Sequence, residues 1–406
     1  MAKKLRISRQ DARQLLFDLK TEPDVEKVPL DACYGRVLAE DVVAKENVPP
    51  FSKSPLDGYA LMGEDTALAS ECHPVTLTIT EEIAAGDVPH IAVQHGQAAK
   101  ILTGAPMPEG ANVVVRYENT TFTDTTVTFT APVEPNRDVV PAGDDITVGR
   151  LVASRGEVLT PPLAGMLAAL GYPEIPVFYQ PRIAILSTGS ELAEPTGELP
   201  PGKIRNSSYH LIRGYLEQEG AEVGPCQPVE DDLDAISTRL EQNLRDYDMV
   251  VTTGGVSVGD YDLMLAATER IGARRLFWKV RFRPGGTMLA AEKDGKLILG
   301  LSGNPASATL ALYLMGLPFV RKLAGQPARA PQRIRCRLMG PIEKDSPYGR
   351  LVRGQLKFEH GECCFRPVDC QGNGALSSLL GCNLIADLPS NTPPLPAGIM
   401  IDAYQI

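Results

Sequence analysis

The sequence predicts a multidomain protein of α/β plus all-β class, whose central unit has a parallel or mixed sheet. Three observations lead to this prediction. The chain has 406 residues, enough for two to four domains. Between residues 181 and 327, apolar strand-like runs alternate with amphipathic helices, as in βαβ units. On both sides of this region, short runs of alternating polar and apolar residues are separated by turn residues, which is typical of β structure.

The beginning of the chain is predicted to form a discontinuous domain of helices and strands from residues 1–50 and 138–180. A capping serine precedes an amphipathic helix expected over residues 8–20. A second helix is expected between an early proline and a final glycine over 161–171. A further short helix is predicted at 31–38.

The other three domains follow from changes in pattern. Residues 51–137 alternate threonine and valine in short runs, which predicts a small antiparallel β domain inserted into the first. Residues 181–327 are predicted to form the central α/β domain, with ligands bound at the carboxyl ends of its strands. Residues 328–406 again alternate β-like runs with turns and predict a C-terminal β domain.

Composition limits the classes of function. Hydrophobic residues make up 43% of the chain and charged residues 22%, as in soluble globular proteins. We see no secretory signal or membrane-length apolar segment and expect a cytoplasmic protein with no membrane partner. The net charge of −10 argues against nucleic-acid binding. The eight cysteines lack CxxC spacing and are expected to be reduced.

The strongest local pattern is DMVVTTGGVSVGDYD, Asp248–Asp262. After a buried strand, Gly254 and Gly255 permit a sharp turn and a close backbone approach. The N–H groups of this loop, which includes Ser257, and the start of the next helix favour a bound phosphate. Carboxylates at the loop's end, such as Asp262, would repel a phosphate unless a cation lay between them, which predicts Mg²⁺. The alternative is a plain β-turn with an aspartate helix cap.

A second turn after a buried strand is predicted in GLSGNPASAT, Gly300–Thr309. Pro305 suits the first position of a helix, and Asn304 precedes it. Read alone, this segment is equally compatible with an ordinary capped helix. Because two such loops follow strands of one sheet, a shared ligand crevice is favoured. Its candidate hydroxyl donors are those of Ser302, Ser307 and Thr309.

Two acidic positions are further candidates. In LSTGSEL, Leu186–Leu192, Thr188 ends a strand and Glu191 could position a metal or ligand, although the segment alone is a common turn. Asp57 in SPLDGYA lies outside the central domain and is either a turn residue or an acidic ligand in a neighbouring subunit's crevice. No histidine has metal-ligand or catalytic spacing, so metal ions, positioning and electrostatics are the expected means of catalysis.

A dense basic run lies near the glycine loop in this acidic chain. Such a run is usually a solvated face, but its position raises the chance of an anion site. Its members are Arg274, Arg275, Lys279, Arg281 and Arg283.

Together these strings resemble a known family. SPLDGYA, ILTGAPMPEGANVVV, GDDI, LSTGSEL, TTGGVSVGDYD and SGNPASATL, in this order, are similar to motifs of the molybdopterin molybdenumtransferases, the MoeA and gephyrin E-domain family. The resemblance covers nearly the whole chain. It implies an elongated four-domain homodimer whose central domain is of the molybdopterin-binding type, related to molybdopterin adenylyltransferases. It also implies a Mg²⁺-dependent reaction that inserts molybdate into adenylylated molybdopterin (molybdopterin-AMP) and releases AMP.

The resemblance assigns roles by matching motifs. It implies that Asp57, Glu191, Asp262 and Lys279 take part in catalysis. It implies metal ligands at Asp57, Asp145, Glu191, Asp231 and Asp262. It implies cofactor contacts from Thr103, Thr188, Gly254, Gly255, Ser257, Arg283, Ser302, Asn304, Pro305 and Arg353. A metal-polarised phosphoanhydride could be attacked by water or by a molybdate oxygen, and the sequence leaves both open.

The sequence departs from the family pattern in three motifs where an oxyanion or phosphate should bind. The family's KPGKP string is here Arg283-Pro284-Gly285-Gly286-Thr287, so that an arginine replaces one lysine and Gly286 another. Ser302 replaces the proline of PGNP, and Asn373 replaces a serine after a QG turn. These departures motivate a second hypothesis, a paralogue that binds molybdopterin or its molybdenum cofactor without turnover or with another oxyanion.

A third hypothesis is an adenylyltransferase or nucleotide hydrolase that uses the same loop. The expected partners are molybdopterin adenylyltransferase and proteins that mature molybdoenzymes. Molybdate and tungstate are not distinguished by the sequence.

Overall fold

The computed structural model describes residues 6–256, 263–327, 331–346 and 348–406. Its β structure falls into an inserted sheet, a central sheet and a C-terminal barrel, with three two-stranded sheets besides. The multidomain α/β plus β fold class predicted from the sequence is confirmed. No helix within these ranges is long and apolar enough to cross a lipid bilayer.

The central sheet is mixed. Its four-strand path from Glu222–Val223 through Arg182–Thr188 and Met249–Thr253 to Lys296–Leu301 is parallel. Two antiparallel strands extend that edge, and a short parallel strand also pairs with Arg182–Thr188. These three are Gln227–Val229, Arg274–Trp278 and Leu289–Lys293.

Helices cover both faces of the central sheet. Apolar residues of its strands point to two separate core clusters, so both faces are buried. A π-helical turn, Leu312–Gly316, joins the last two α-helices. The α-helices are Ser207–Gln218, Leu233–Asp246, Met264–Arg270, Pro305–Ala311 and Leu317–Leu323. A short two-stranded sheet, Leu192–Ala193 with Ile204–Arg205, lies beside them.

The inserted sheet has six strands. Four of its five pairings are antiparallel, as predicted, but Val75–Ile83 and Gln97–Ile101 run parallel. In spatial order the strands are Val113–Arg116, Gly58–Leu61, Gln97–Ile101, Val75–Ile83, Thr126–Phe129 and Thr121–Phe122. Two short 3₁₀ helices, Gly63–Thr66 and Tyr117–Asn119, accompany them.

The discontinuous N-terminal region contains two small sheets and a helix. Val25–Pro29 pairs with Glu174–Phe178, and Val42–Val43 pairs with Leu151–Ala153. The helix Pro161–Ala169 is followed by Gly171 at a φ of +73°, which matches the predicted glycine end. The short helix predicted at 31–38 is wrong in extent, because only a 3₁₀ turn forms there, Leu30–Ala32.

The first helix, Arg9–Phe17, packs on the central unit although the prediction placed it with residues 1–50. Ser8 caps it through a 3.0 Å hydrogen bond from the Asp11 N–H, as predicted. Its Ala12 and Leu16 are fully buried in the core cluster that includes Ile183. The apolar face of this helix is therefore covered by the central unit.

The C-terminal barrel closes on itself and docks on the central unit. Its five strands are Arg333–Leu338, Glu362–Pro367, Arg350–Glu359, Leu384–Leu388 and Met400–Gln405, with a 3₁₀ helix at Leu376–Leu379. Leu351 and Ile385 of the barrel enter the central core cluster. Arg9 donates to both carboxylate oxygens of Asp387, at 2.9 and 2.7 Å. The first helix and the barrel are thus joined by a bidentate ion pair.

Candidate functional site

The glycine turn after strand Met249–Thr253 is shaped by close packing. Gly254 and Gly255 have φ values of +95° and +63°. A Cβ at Gly254 would lie 2.6 Å from the carbonyl oxygen of Thr188, so only glycine fits. Thr188 is buried and its hydroxyl donates to the carbonyl of Thr253 at 3.3 Å. Thr188 therefore supports the turn from behind.

The second strand-end loop lies directly beside this turn. The Gly254 N–H donates to the Leu301 carbonyl at 3.0 Å, and Gly303 lies against Gly254. Within the loop, the Asn304 N–H donates to the Ser302 hydroxyl at 3.3 Å. A helix begins at Pro305, as predicted. The two loops form one continuous surface at the carboxyl edge of the central sheet.

Of the three predicted hydroxyl donors, two face the space in front of the loops and one does not. Ser302 and Ser307 line the space in front of the two loops. Thr309 does not, because its hydroxyl donates to the Pro305 carbonyl at 2.9 Å within the helix. Serine or threonine hydroxyls in helices commonly bond to the carbonyl four residues earlier, which here removes one predicted donor.

Residues 279–287 form the opposite wall. Lys279 has a φ of +66°, unusual for a residue with a Cβ, and its Nζ lies 4.2 Å from the centre of the Trp278 ring. The Lys279 N–H donates to the Met288 carbonyl at 2.8 Å. Backbone strain of this kind is held by the surrounding structure and is concentrated at functional sites.

The basic run predicted from the sequence is split by the fold. Arg274 pairs with Glu292 at 3.0 Å and Arg275 with Glu269 at 3.4 Å, both away from the cavity. Lys279, Arg281 and Arg283 line the cavity instead. Residues on a strand alternate in direction, whereas a loop can turn several side chains inward. Proximity in the sequence therefore did not show which members of the run line the cavity.

The walls enclose a cavity of about 550 Å³. Four cationic residues line it and, in the ranges that the structure describes, no aspartate or glutamate does. The cavity is thus an electropositive concave site in a chain of net charge −10, suited to an anion. Its cations are Arg6, Lys279, Arg281 and Arg283. Its other polar lining includes Ser302, Asn304, Ser307, Tyr348 and Asn373.

Arg6 and Tyr348 were missed by sequence reasoning. Arg6 comes from the segment before the first helix, where Ile7 forms a parallel bridge with Val280. Tyr348 comes from a loop of the barrel region, preceding the strand that begins at Arg350. Neither residue belongs to a motif, and only tertiary packing brings them to the cavity.

Gly286 is required by the local backbone. A Cβ at this position would be pressed against the carbonyl oxygens of Phe282 and Val280, and the Gly286 carbonyl accepts from the Val280 N–H at 2.8 Å. The loop closes on itself here and leaves no path for a side chain. The departure from the family's lysine therefore removes one cation at a position where this loop has no room for a side chain.

Arg353 was expected to contact the ligand but does not line the cavity. Its side chain is fully buried, and Nη2 donates to the carbonyls of Gly372 at 3.0 Å and Cys370 at 3.4 Å. Burial lowers the pKa of its guanidinium. The next residue in that turn, Asn373, lines the cavity and its carbonyl accepts from the Ser307 N–H at 3.2 Å. Arg353 thus holds a turn that forms the cavity wall.

Asp57 and Thr103 form a pair outside the cavity. Both the N–H and the hydroxyl of Thr103 donate to Asp57 Oδ1 at 2.7 Å. These hydrogen bonds, the backbone one first, lower the pKa of the Asp57 carboxyl below its ordinary value. The carboxylate is fixed in orientation and stays ionised, as a metal or cation ligand requires.

The remaining predicted acids are not gathered with Asp57. The Asp231 carboxylate accepts from the Ser190 N–H at 3.2 Å, beside Glu191 at the end of strand Arg182–Thr188. Asp145 is exposed in the N-terminal region. Among the residues described, no three carboxylate, histidine or cysteine side chains are close enough to hold a metal ion. The predicted residues Ser257 and Asp262 lie outside the described ranges.

The structure is that of an α/β protein with an electropositive cavity, and family comparisons make its class specific. Residues 184–322 match the family described as a probable molybdopterin binding domain, and residues 7–171 match the MoeA N-terminal region, domains I and II. The central sheet with its cavity is therefore of the molybdopterin-binding class.

Relatives of similar length extend this result to the whole chain. The molybdopterin molybdenumtransferase of Staphylococcus epidermidis is 35% identical over 98% of this chain and 96% of the relative. That of Staphylococcus aureus is 34% identical over 97% and 94%. The chain belongs to the molybdopterin molybdenumtransferase family, a family of transferase enzymes in molybdenum cofactor biosynthesis.

Solved structures agree with this assignment. Two crystal structures of the molybdopterin biosynthesis moeA protein from Pyrococcus horikoshii match with TM-scores of 0.88 and 0.84. Their identities to this chain are 27% and 30%, and they cover 98% and 99% of it and 99% and 100% of their own chains. The arrangement of sheets described above is therefore that of the family.

Proposed function

We propose that the chain catalyses the Mg²⁺-dependent insertion of molybdate into adenylylated molybdopterin, with release of AMP. The observation that carries this proposal is the cavity at the carboxyl edge of the central sheet, with its four cations and without an aspartate or glutamate in its described lining. Both molybdate and the phosphoanhydride are multiply charged anions, and cationic side chains with backbone N–H groups are the donors that bind them. Family membership supplies the substrate class.

In this proposal the chain's own residues bind and orient the two anions. Lys279 and Arg283 stabilise the negative charge of the oxyanion and the phosphates, and the loops at Gly254 and Asn304 bring N–H groups to them. Asp262 and Glu191 keep their predicted catalytic roles as proposals. Bound Mg²⁺ would neutralise and polarise the phosphoanhydride.

The acidic half of the site is proposed to come from a second copy of the chain. The Asp57 carboxylate is ionised and is held by two hydrogen bonds from Thr103, yet neither residue lines the cavity of its own chain. A homodimer that places the partner subunit's Asp57 at this cavity would supply a carboxylate for Mg²⁺. We further propose a cytoplasmic enzyme that receives its substrate from an adenylyltransferase and passes its product to molybdoenzyme maturation proteins.

Activity of the purified chain tests the reaction. Given adenylylated molybdopterin, molybdate and Mg²⁺, it should release AMP and form cofactor that activates an apo-molybdoenzyme. Chelation of Mg²⁺ should stop both. Parallel titrations with molybdate and tungstate identify the oxyanion. If neither AMP nor cofactor appears, the proposed reaction is excluded.

Mixing variant chains tests the shared site. Asp57→Ala and Arg283→Ala chains should each be inactive alone. After random exchange of subunits, the mixture should regain roughly one quarter of wild-type activity, because half of the dimers then hold one intact site. A chain carrying both substitutions, mixed with either single variant, is the matched control and should stay inactive. Failure to recover activity would place Asp57 and Arg283 in the same chain's site or in separate roles.

A binding protein without turnover is the second candidate. The glycine at position 286 favours it, because the family's lysine is lost there and this loop has no room for a side chain. Tight binding of adenylylated molybdopterin without AMP release supports this candidate. Gly286→Lys alone is a poor rescue, since the new side chain meets the Phe282 carbonyl. Consumption of ATP with unmodified molybdopterin would indicate the adenylyltransferase alternative.

A further inference from the structure

The basic cavity is built from three distant parts of the chain, and the least expected is the beginning. The Ile7 N–H donates to the Lys279 carbonyl at 3.2 Å, and the Arg281 N–H donates to the Ile7 carbonyl at 2.9 Å. The backbone at Ile7 therefore forms an isolated parallel bridge with the basic wall at Val280. Because helix Arg9–Phe17, which follows directly, is anchored in the central core, this bridge has a fixed neighbour.

The barrel region reaches the same wall from the other side. The Arg283 N–H donates to the Gly349 carbonyl at 2.8 Å, and the Leu351 N–H donates to the Arg283 carbonyl at 2.7 Å. These bonds place Tyr348 at the cavity, where its ring is partly exposed. The Arg6 and Arg283 guanidinium carbons lie 5.5 and 4.8 Å from the centre of that ring. One aromatic ring thus contacts two cations of the cavity at cation–π distances.

We propose that Arg6 is a ligand-binding residue of this cavity and that Tyr348 is a positioning residue for both Arg6 and Arg283. The group they bind is a tetrahedral oxyanion carrying more than one negative charge, either the phosphate of the nucleotide or molybdate. This inference rests on the proposed function for its ligand class. It adds a residue from the chain's beginning that no motif contains.

The proposed role of Tyr348 follows from the concentration of positive charge in the cavity. Two guanidinium groups near one ring would repel each other in an empty cavity, and the electron-rich ring face offsets part of that repulsion. A guanidinium presents a planar fork of N–H donors, which matches two oxygens of a tetrahedral anion. Arg6 and Arg283 held beside one ring can therefore approach the anion together, while Lys279 and Arg281 lie along the same wall.

Binding by the full-length chain tests the inference without turnover. Isothermal titration with AMP and with molybdate, and with uncharged adenosine as a control ligand, measures the affinities of each variant. Arg6→Ala should weaken binding of the responsible anion about tenfold and reduce its dependence on salt, since one cation is lost. Arg6→Lys should recover most of the affinity. Arg274→Ala, which removes a cation paired with Glu292 outside the cavity, should change nothing.

Variants of Tyr348 separate positioning from direct contact. Tyr348→Phe keeps the ring and should bind as the wild type does, whereas Tyr348→Leu should weaken anion binding about threefold to tenfold. The loss in Tyr348→Leu should not add fully to that in Arg6→Ala, because both act on one cluster. A weakening confined to AMP or to molybdate identifies which anion Arg6 binds.

The thermal midpoint of each variant should stay near that of the wild type. Unchanged anion affinity in a folded Arg6→Ala protein overturns the inference. So does an equal loss in Arg6→Ala and Arg274→Ala, which would indicate a general charge effect. Because these are binding measurements, they succeed or fail independently of whether the wild-type protein releases AMP.

Discussion

The two polar regions of this molecule differ in how completely one chain assembles them. The cationic cavity is formed by loops of the central sheet, the segment at Arg6 and the barrel loop at Tyr348, all joined by backbone hydrogen bonds. Asp57, which accepts hydrogen bonds from Thr103, directly precedes strand Gly58–Leu61 of the inserted sheet and does not line the cavity. One chain therefore builds the cationic wall from three of its own segments, whereas the Asp57 carboxylate lies outside that wall.

The largest effect on activity should come from a substitution in the cationic cavity. Arg283→Ala should lower kcat/KM for adenylylated molybdopterin by about two to three orders of magnitude, because a donor to a charged group in a concave site is lost. Steady-state kinetics with molybdate and Mg²⁺ measure it. Arg275→Ala is the matched control, since that arginine pairs with Glu269 outside the cavity. Comparable losses of kcat/KM in Arg283→Ala and Arg275→Ala would contradict the proposal that the cavity binds the substrate.

The next effect concerns the attachment of the barrel to the first helix. Asp387 is mostly buried; burial would raise the pKa of its carboxyl, but the hydrogen bonds and charge of Arg9 lower it below the ordinary value. Asp387→Asn should lower the free energy of unfolding by about 3 kcal/mol, because Arg9 then loses its charged partner. Denaturant unfolding at neutral pH measures it, with Arg337→Gln as a surface control near zero.

The pH dependence of this pair has a definite sign. A carboxyl whose folded pKa is depressed contributes stability that is fully present above its unfolded pKa, near 3.8. That contribution is lost as the pH falls through the lower folded pKa. The stability difference between wild type and Asp387→Asn should therefore shrink in the acid range and stay constant near neutrality.

A smaller loss of stability is expected at the glycine that replaces the family's lysine. Gly286→Ala should destabilise the protein by about 2 kcal/mol, because the new methyl group meets two backbone carbonyls. The AMP affinity should fall as well, since the basic wall must shift. Gly295→Ala offers a comparison in open space with a positive φ of +80°, where only backbone strain acts. Stability and affinity equal to wild type at Gly286→Ala would show that the loop can adopt another shape.

A change of about tenfold in kcat/KM is expected when Asp57 loses the hydroxyl donor of Thr103. Thr103→Val removes the hydroxyl donor to Asp57 but keeps the N–H, so the pKa of Asp57 should rise toward its ordinary value. The acid limb of the pH–rate profile should move to higher pH, and kcat/KM should drop about tenfold at the optimum. Thr103→Ser keeps the donor and should behave as wild type. An unchanged acid limb in Thr103→Val would show that ionisation of Asp57 does not control the rate.

The smallest effect should be at Tyr117, near the same carboxylate. Burial, with a smaller contribution from Asp57, raises the pKa of its phenol to about 12, and within the described chain its buried hydroxyl has no hydrogen-bond partner. Tyr117→Phe should therefore change stability by less than about 1 kcal/mol and leave activity intact. Denaturant unfolding and the AMP-release rate measure it. A large loss of activity would indicate that the phenol acts on Asp57.

The sequence predicted the structure correctly where it depends on local backbone. The glycine turn at Gly254 and the helix start at Pro305 were predictable, because steric demands on these residues are local. Sequence patterns did not identify Arg6 and Tyr348 as cavity residues. The expected ligand contact of Arg353 stays a prediction; its buried side chain donates to the turn that forms the cavity wall. Direction and burial of side chains depend on contacts between distant segments, which periodicity does not encode.

The contact between Arg6 and Tyr348 has a consequence for the order of folding. These residues lie near opposite ends of the sequence, so a ribosome completes the barrel region long after the first helix has emerged. The helix can pack on the central unit once that unit is made. The anion cavity, however, gains its last wall only when the barrel docks. Nascent chains that stop before the barrel should therefore hold the central sheet with a cavity that lacks its wall at Tyr348.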